Sequence, residues 1–251
     1  MGGLCSALDR RANASFVLAA ASKDTLIMGT ITNFFSINNV FFTFLGYQMS
    51  YLEFVGTLLN LWSVWLVTKN NIFTWPVGNI AVILFGILFY QIHLYSDLLE
   101  QVYFLVTGFY GWWVWLYFRN QKIGQKKELT ITYNSQRSDI VYILIIAIGS
   151  ACMAYIMSNI HVYLPKLFPE KASFPFLDAL TTVMSFAAQI LMAHKKIECW
   201  YLWITVDIIG IGLYFAKGVI FVSFLYLIFL ILATKGLFNW RKLYATAQAI
   251  T

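Results

Sequence analysis

A carboxylate in the middle of an apolar stretch is the residue in this sequence best placed to bind a ligand. Asp207 lies seven residues into the stretch 200–216, with Trp203 four residues before it and Tyr214 seven residues after it. On a helix these three side chains share one face. An ionised carboxylate at the centre of a membrane-spanning helix costs about 2.5 to 3.5 kcal/mol, so it normally faces a bundle interior or a water-filled cavity. We therefore predict that Asp207, Trp203 and Tyr214 line a ligand cavity; the alternative for Asp207 is an interhelical hydrogen bond.

Side-chain amides in other apolar stretches extend this polar set. Asn60 lies in the middle of the first long stretch, Gln91 near the end of the second, and Gln189 in the fifth. Amides in hydrocarbon can also simply hold helices together, by about 0.6 to 2 kcal/mol each. We predict that all three amides contribute to the ligand site.

Motifs for catalysis and for metal binding are missing from the sequence. His93, His161 and His194 lie at the ends of apolar stretches without an HExxH pattern, and neither a phosphate-binding GxxxxGK[ST] loop nor a GxSxG elbow occurs. The three cysteines show no CxxC spacing and are interpreted as small apolar residues. We predict no catalytic residue, no cofactor and no metal. An aromatic interior with one carboxylate suits a neutral or cationic planar ligand.

These side chains belong to a duplicated unit of about 63 residues. When the sequence is shifted by 125 positions without a gap, rare residues coincide: Glu53 with Asp178, Thr57 with Thr182, Trp75 with Trp200, Gly111 with Gly236, and Trp115 with Trp240. The polar positions differ instead: Asn60 falls on Ser185, Val82 on Asp207, and Gln91 on Ala216. A duplicated scaffold with a diverged interior suits an asymmetric ligand.

Composition assigns the chain to a membrane. Of 251 residues 60% are hydrophobic and only 11% are charged, with a mean hydropathy of +0.71; soluble domains carry about 25% charged residues. The net charge of +6 comes from basic residues that cluster between the apolar stretches, where they set topology beside an anionic leaflet. We predict a lipid bilayer as partner and no nucleic acid.

The predicted fold is an all-α polytopic membrane protein with seven transmembrane helices. The spans lie at about 50–68, 76–92, 98–118, 139–160, 177–193, 200–216 and 218–234. Three spans plus one linker make an even number of crossings, so the two three-helix repeats are parallel. The predicted units are an N-terminal interfacial segment (1–48), repeat one (49–118), a basic loop (119–138), a linker helix (139–160) and repeat two (177–240).

Residues near the span ends carry three further predictions. We expect residues 1–48 to form a helix at the membrane interface. We interpret Glu53 and Asp178 as caps of helix starts. We interpret six tryptophans as anchors at headgroup depth: Trp75, Trp112, Trp113, Trp115, Trp200 and Trp240.

Basic residues orient the chain. The loop 119–138 carries five of them, and the carboxyl-terminal tail and the loop at 195–196 lie on the same side. The positive-inside rule therefore places the carboxyl terminus in the cytoplasm and the start of the first span outside.

A set of motifs resembles the PnuC family of bacterial nicotinamide riboside transporters. The residues that carry the resemblance are Tyr51-Leu-Glu53, Trp75-Pro-x-Gly78, Leu94-Tyr95 with Gln101 and Tyr103, Tyr110-Gly-Trp112-x-x-Trp115, Phe174-Pro-Phe-x-Asp178, Trp200-x-x-Trp203-x-x-x-Asp207, and Gly218 with Tyr226. The resemblance covers residues 48–242. Each motif alone is weak, and the combination is specific.

The resemblance implies a three-plus-one-plus-three helix arrangement similar to that of SWEET sugar transporters, a homotrimer, and a multi-pass location in the bacterial inner membrane. It implies facilitated diffusion of nicotinamide riboside, driven by phosphorylation inside the cell. On this chain, Trp203 would pack against the ligand and Trp200 would anchor the helix end. Asn60, Gln91 and Gln189 would bind the carboxamide and the ribose hydroxyls. Asp207 stands where relatives can carry asparagine, which leaves open whether its charge pairs with the pyridinium.

Two alternative functions remain at this point. Thiamine, or another vitamin with a cationic ring, has a head of similar size and charge. An intramembrane lipid-modifying enzyme would use His161 or His194, and would form product without transport. A purely structural membrane protein would not need a carboxylate such as Asp207 near the midplane.

Overall fold

A computed structural model describes residues 35–37, 39–44, 46–119, 129–163 and 174–249, and seven long helices make up most of these residues. The helices are α1 (Tyr51–Thr68), α2 (Thr74–Gln91), α3 (Tyr95–Arg119), α4 (Gln136–Tyr163), α5 (Pro175–Ala193), α6 (Glu198–Ala216) and α7 (Ile220–Gln248). Six of them are long and apolar enough to cross a membrane; α3 is not among the six. It carries Asp97 and Glu100 in its first two turns.

The helix ends repeat along with the sequence. Asn70 follows α1 and Lys195 follows α5, each two residues past the helix, with a positive φ (53° and 52°) at positions 125 residues apart. His93 follows α2 and Gly218 follows α6 in the same way, again 125 residues apart and with positive φ (61° and 77°). A residue in this left-handed conformation stops a helix by turning its last carbonyls onto local N–H donors. The duplication therefore extends to the local geometry that ends each helix.

Helices of the two repeats close into a ring. In order around it, α1 contacts α2, α2 contacts α3, α3 contacts α5, α5 contacts α6, α6 contacts α7, and α7 contacts α1. The α3–α5 contact and the α7–α1 contact are equivalent, because α7 is the counterpart of α3 and α1 is the counterpart of α5. α3 and α5 run in the same direction, because Glu100 meets Thr182 near their starts and Tyr110 meets His194 near their ends. The repeats are parallel, as predicted, and α4 packs on α5 outside the ring.

Each repeat contains the same tryptophan–glycine contact. Trp75 packs edge to face on Trp115, with ring centroids 5.5 Å apart, and Trp200 packs on Trp240 at 5.4 Å. The indoles of Trp75 and Trp200 lie against Gly111 and Gly236, where a Cβ atom would fall within 2.6 Å of ring carbons.

Indole N–H groups then join the repeats. Trp115 Nε1 donates to the carbonyl of Ala193 at 3.0 Å, and Trp240 Nε1 donates to the carbonyl of Val67 at 2.9 Å. Each bond crosses from one repeat to the other.

The prediction that these tryptophans anchor the chain in the headgroups is wrong for the four that the repeats share. Trp75, Trp115, Trp200 and Trp240 are at most 4% exposed and form part of the main apolar core. Trp113, which is 60% exposed, keeps the position expected of an anchor. A tryptophan at a helix end can face either lipid or a neighbouring helix. Here Gly111 and Gly236 leave room for the indoles of Trp75 and Trp200, which are therefore buried.

The described part of the segment before α1 is a hairpin, whereas most of the predicted interfacial segment 1–48 lies outside the described residues. Of the part that the structure describes, Val40–Phe44 (β1) and Tyr47–Ser50 (β2) form an antiparallel hairpin; residues 1–34 lie outside the described residues. Tyr47 stacks on Phe221 of α7, with ring centroids 5.3 Å apart and planes at 9°. We call the end of the bundle where this hairpin lies, and where α1, α3, α5 and α7 begin, the hairpin side.

The helix caps also differ from the prediction. Ser50 caps α1, because its side chain accepts the N–H of Glu53 at 3.2 Å. Glu53 itself accepts a short hydrogen bond from the hydroxyl of Tyr47. Burial and this bond raise the pKa of the Tyr47 phenol. Asp178 lies in the first turn of α5 and pairs with Lys217.

Candidate substrate-binding site

One face of α6 carries the predicted site residues. Tyr201, Ile208 and Phe215 are exposed on its outer face. Asp207 and Gly210 are buried on the opposite face. At 100° per residue, Trp203 and Tyr214 share this inner face, as predicted.

Two polar groups on this face, the Asp207 carboxylate and the Trp203 Nε1–H, lack hydrogen-bond partners among the described residues. Asp207 is 4% exposed, and it makes no hydrogen bond or ion pair to any residue that the structure describes. The indole Nε1 of Trp203 is buried without an acceptor. Buried polar atoms in folded proteins are nearly always hydrogen-bonded, so an unpaired donor and an unpaired acceptor within four residues need a reason. A bound ligand would supply the missing partners.

Tyr214 contributes an aromatic wall toward the hairpin side. It stacks on Tyr226 of α7, with ring centroids 5.2 Å apart and planes at 20°. The Tyr226 ring covers Gly210, whose Cβ, if present, would lie 2.6 Å from Cε1 of the ring. Glycine at 210 therefore lets the tyrosine pair lie flat against α6 beside Asp207.

Asn60 and Gln189 lie on α1 and α5, which occupy equivalent places in the two repeats. Both side chains are partly buried, and neither forms a hydrogen bond with another described residue. Their amides therefore retain the capacity to bind a ligand. Ser185, the counterpart of Asn60, is also partly buried.

Gln91 is separate from the other five residues. Its Nε2 donates to the carbonyl of Phe35 at 2.6 Å, and its Oε1 accepts the N–H of Ile37 at 3.2 Å. Phe35 and Ile37 pack on a small apolar cluster around Leu52 and Leu88. Both ends of the Gln91 amide thus hold the segment before the hairpin.

We expect Gln91→Leu to release this segment and to weaken ligand binding less than Gln189→Leu does. Loss of both bonds removes the acceptor of the Ile37 N–H and the donor to the Phe35 carbonyl, so amide hydrogen exchange at residues 35–37 should accelerate at least tenfold. Hydrogen exchange read by mass spectrometry measures it, with Gln189→Leu as the matched amide control. Unchanged exchange together with lost ligand binding would instead return Gln91 to the substrate site.

Comparison with known proteins identifies the family. The profile of the family described as nicotinamide mononucleotide transporter matches residues 50–242. The chain belongs to this family of membrane transporters. The "Nicotinamide riboside transporter PnuC" of Escherichia coli K12 is 30% identical over 229 residues, which cover 83% of this chain and 94% of the relative. The resemblance seen in the sequence is therefore confirmed, and the chain is a transporter and not an enzyme.

Two other similarities bear on fold and substrate. The "Riboflavin/roseoflavin transporter RibM" of Streptomyces davaonensis is 26% identical over 205 residues, covering 81% of this chain and 91% of the relative. The "Crystal structure of the Vitamin B3 transporter PnuC" superposes with a TM-score of 0.57 at 24% identity, covering 77% of this chain and 81% of that one. Proteins similar to this chain are thus named for different vitamins, and the solved structure confirms the fold.

Two further polar residues were not among the predicted site residues. The side chain of Glu100 accepts a hydrogen bond from Thr182 at 2.5 Å across the α3–α5 contact; the available signal was a carboxylate two residues inside the predicted third span. Asn79 on α2 is 6% exposed, with an unpaired Nδ2 beside Gly108. Asn79 has isoleucine as its counterpart in repeat two, so the scaffold itself does not require an amide there.

Proposed function

We propose that this protein imports nicotinamide riboside by facilitated diffusion. Uptake would be driven by phosphorylation of the riboside inside the cell, so the transporter needs no energy source of its own. The relatives named nicotinamide riboside transporters support the substrate. The implied homotrimer, the bacterial inner membrane and the six site residues belong to the same proposal.

The unpaired polar atoms on α6 carry this proposal. Nicotinamide riboside has a flat, positively charged pyridinium ring, an amide and hydroxyl groups. Asp207 would offset the ring charge, since a buried carboxylate without a partner is costly. Trp203 would stack on the ring and donate its Nε1–H, and Tyr214 would close the pocket toward the hairpin side.

Amides on two other helices would complete the binding of the substrate. Asn60 and Gln189 can each donate and accept, which suits the carboxamide and the ribose hydroxyls. Gln91 was predicted to join them; its bonds to Phe35 and Ile37 make it the weakest member of the set.

The orientation of the chain follows from its charges. We propose that the hairpin side faces outward and the carboxyl terminus lies in the cytoplasm, because the basic loop 119–138 and the tail of α7 lie on the opposite side.

A riboflavin-type substrate fits this site less well. Riboflavin is uncharged, so its binding would leave Asp207 as a desolvated charge without compensation. A cationic vitamin such as thiamine satisfies the same charge argument, and only a direct comparison separates it from the riboside.

Calorimetric titration of the purified protein with nicotinamide riboside, thiamine, riboflavin and nicotinamide mononucleotide tests the proposal. Saturable binding of the riboside, with counterflow of labelled riboside into proteoliposomes that contain unlabelled riboside, would support it. Binding of thiamine or riboflavin without binding of the riboside would overturn the substrate. Product formed in detergent without any vesicle transport would overturn transport itself.

A further inference from the structure

A second group of carboxylates lies on the hairpin side, where α3 meets α5. Asp97 and Glu100 are in the first turns of α3, and Asp178 is in the first turn of α5. Asp97 lies one turn before Glu100 on α3, and Asp178 lies one turn before Thr182, the residue of α5 that Glu100 contacts. Lys217, which follows α6, lies 2.9 Å from Asp178. Three acidic groups and one basic group thus meet at one end of one contact between the repeats.

Specific contacts hold this group together. Glu100 accepts the hydroxyl of Thr182 at 2.5 Å. Lys217 Nζ lies 2.9 and 3.2 Å from the two carboxylate oxygens of Asp178. The same ammonium lies 5.4 Å from the ring centroid of Tyr214. The ammonium group of Lys217, an organic cation that belongs to the chain, is therefore already held by a carboxylate and an aromatic ring.

The scaffold does not require these charges. The counterparts of Asp97, Glu100 and Lys217 in the other repeat are Val222, Leu225 and Ile92. That end of the α7–α1 contact is covered by the hairpin through the Tyr47–Phe221 stack. On the hairpin side, the α7–α1 contact is thus covered by aromatic rings, whereas the equivalent α3–α5 contact carries net negative charge.

The charged group connects to the binding face of α6. Tyr214 lies beside Lys217 and shares its helix face with Asp207, which is nine-tenths buried and unpaired among the described residues. Tyr214 lies seven residues after Asp207 and three residues before Lys217 in the sequence, and Tyr226 stacks on it. The tyrosine pair therefore lies between the carboxylates at the hairpin side and the carboxylate near the midplane.

We propose that Asp97, Glu100 and Asp178 form an entry site for a flat organic cation, which displaces Lys217 and rests against Tyr214 before it reaches Asp207. This inference rests on the proposed function and adds a second substrate site to it. The ligand class is an organic cation, because Lys217 shows that an ammonium group fits between the Asp178 carboxylate and the Tyr214 ring.

Displacement of Lys217 is inexpensive. The side chain of Asp178 is 41% exposed and that of Lys217 is 27% exposed, and exposed ion pairs contribute little to stability. Clustered charges of one sign raise the local concentration of an oppositely charged solute and its rate of capture, and added salt screens this effect. The entry site should therefore act on KM at low ionic strength and leave the maximal rate unchanged.

Uptake kinetics in proteoliposomes test the entry site with nicotinamide riboside at low and high salt. We expect Glu100→Gln and Asp178→Asn to raise KM about tenfold at low salt, with the difference disappearing in high salt. Lys217→Gln should lower KM, because the competing ammonium is gone; a merely disruptive substitution would raise it. The uncharged dihydro form of the riboside should show no such dependence.

Glu53→Gln is the matched control, because Glu53 is the counterpart of Asp178 and lies on the same side, bonded to the hairpin. It should leave KM unchanged. KM values within twofold of wild type for Glu100→Gln, Asp178→Asn and Lys217→Gln would overturn the entry site while leaving the proposed function intact. Wild-type protein that does not move the riboside would overturn the proposed function. If Glu100→Gln does not fold, the KM values of Asp178→Asn and Lys217→Gln, two exposed positions, test the entry site instead.

Discussion

Replacement of Asp207 by alanine is expected to lower riboside uptake between tenfold and about a hundredfold. Asp207 is 4% exposed and has no partner among the described residues, so a cationic substrate would be its only counter-charge. A hydrogen bond or contact to a charged group contributes about 1.5 to 3 kcal/mol, which corresponds to roughly that range of affinity. The loss should appear as a higher Kd in calorimetry and a higher KM in uptake.

Asp207→Asn separates charge from shape. Asparagine keeps a polar group of the same size but cannot offset the pyridinium, so affinity for the riboside should fall while affinity for the uncharged dihydro form is preserved. Val82→Ala is the control, because Val82 is the counterpart of Asp207 in repeat one. If Asp207→Ala and Val82→Ala transport equally well, the carboxylate has no part in substrate binding.

Much of the fold could be predicted from the sequence because the duplication constrains it. The offset of 125 residues pairs Trp75 with Trp200 and Gly111 with Gly236, and the structure uses both pairs in the same packing. The shared inner face of Trp203, Asp207 and Tyr214 followed from helical periodicity alone. Such features are local or repeated, so one chain contains enough information to find them.

Other features depended on contacts between distant segments. The four shared tryptophans were predicted at headgroup depth, because an indole at a helix end carries the same pattern whether it faces lipid or a glycine on another helix. Gln91 was predicted as a ligand amide, although its partners lie more than 50 residues away. Glu100 was overlooked because its partner, Thr182, becomes a neighbour only when α3 meets α5.

Gly236→Ala is expected to destabilise the protein strongly. A Cβ at this position would lie 2.5 and 2.6 Å from Cζ3 and Cζ2 of Trp200, and real Cβ atoms do not approach carbon so closely. Trp200 cannot move aside easily, because it is 1% exposed and packs against Trp240. Overpacking of this kind costs about 1 to 3 kcal/mol or more. Gly111→Ala should behave in the same way against Trp75.

Gly212→Ala, on the neighbouring helix α6, is expected not to destabilise the protein. Nothing lies within 4 Å of the place that an added methyl group would occupy, and alanine is a better helix former than glycine by about 1 kcal/mol. Thermal unfolding in detergent should therefore show Gly236→Ala below wild type by about 4 to 10 °C and Gly212→Ala at or above it. Because Trp240 bonds to Val67 of the other repeat, the Gly236 variant should loosen the contact between the halves as well. Equal melting of the two alanine variants would mean that the tryptophan–glycine contact does not hold the repeats together.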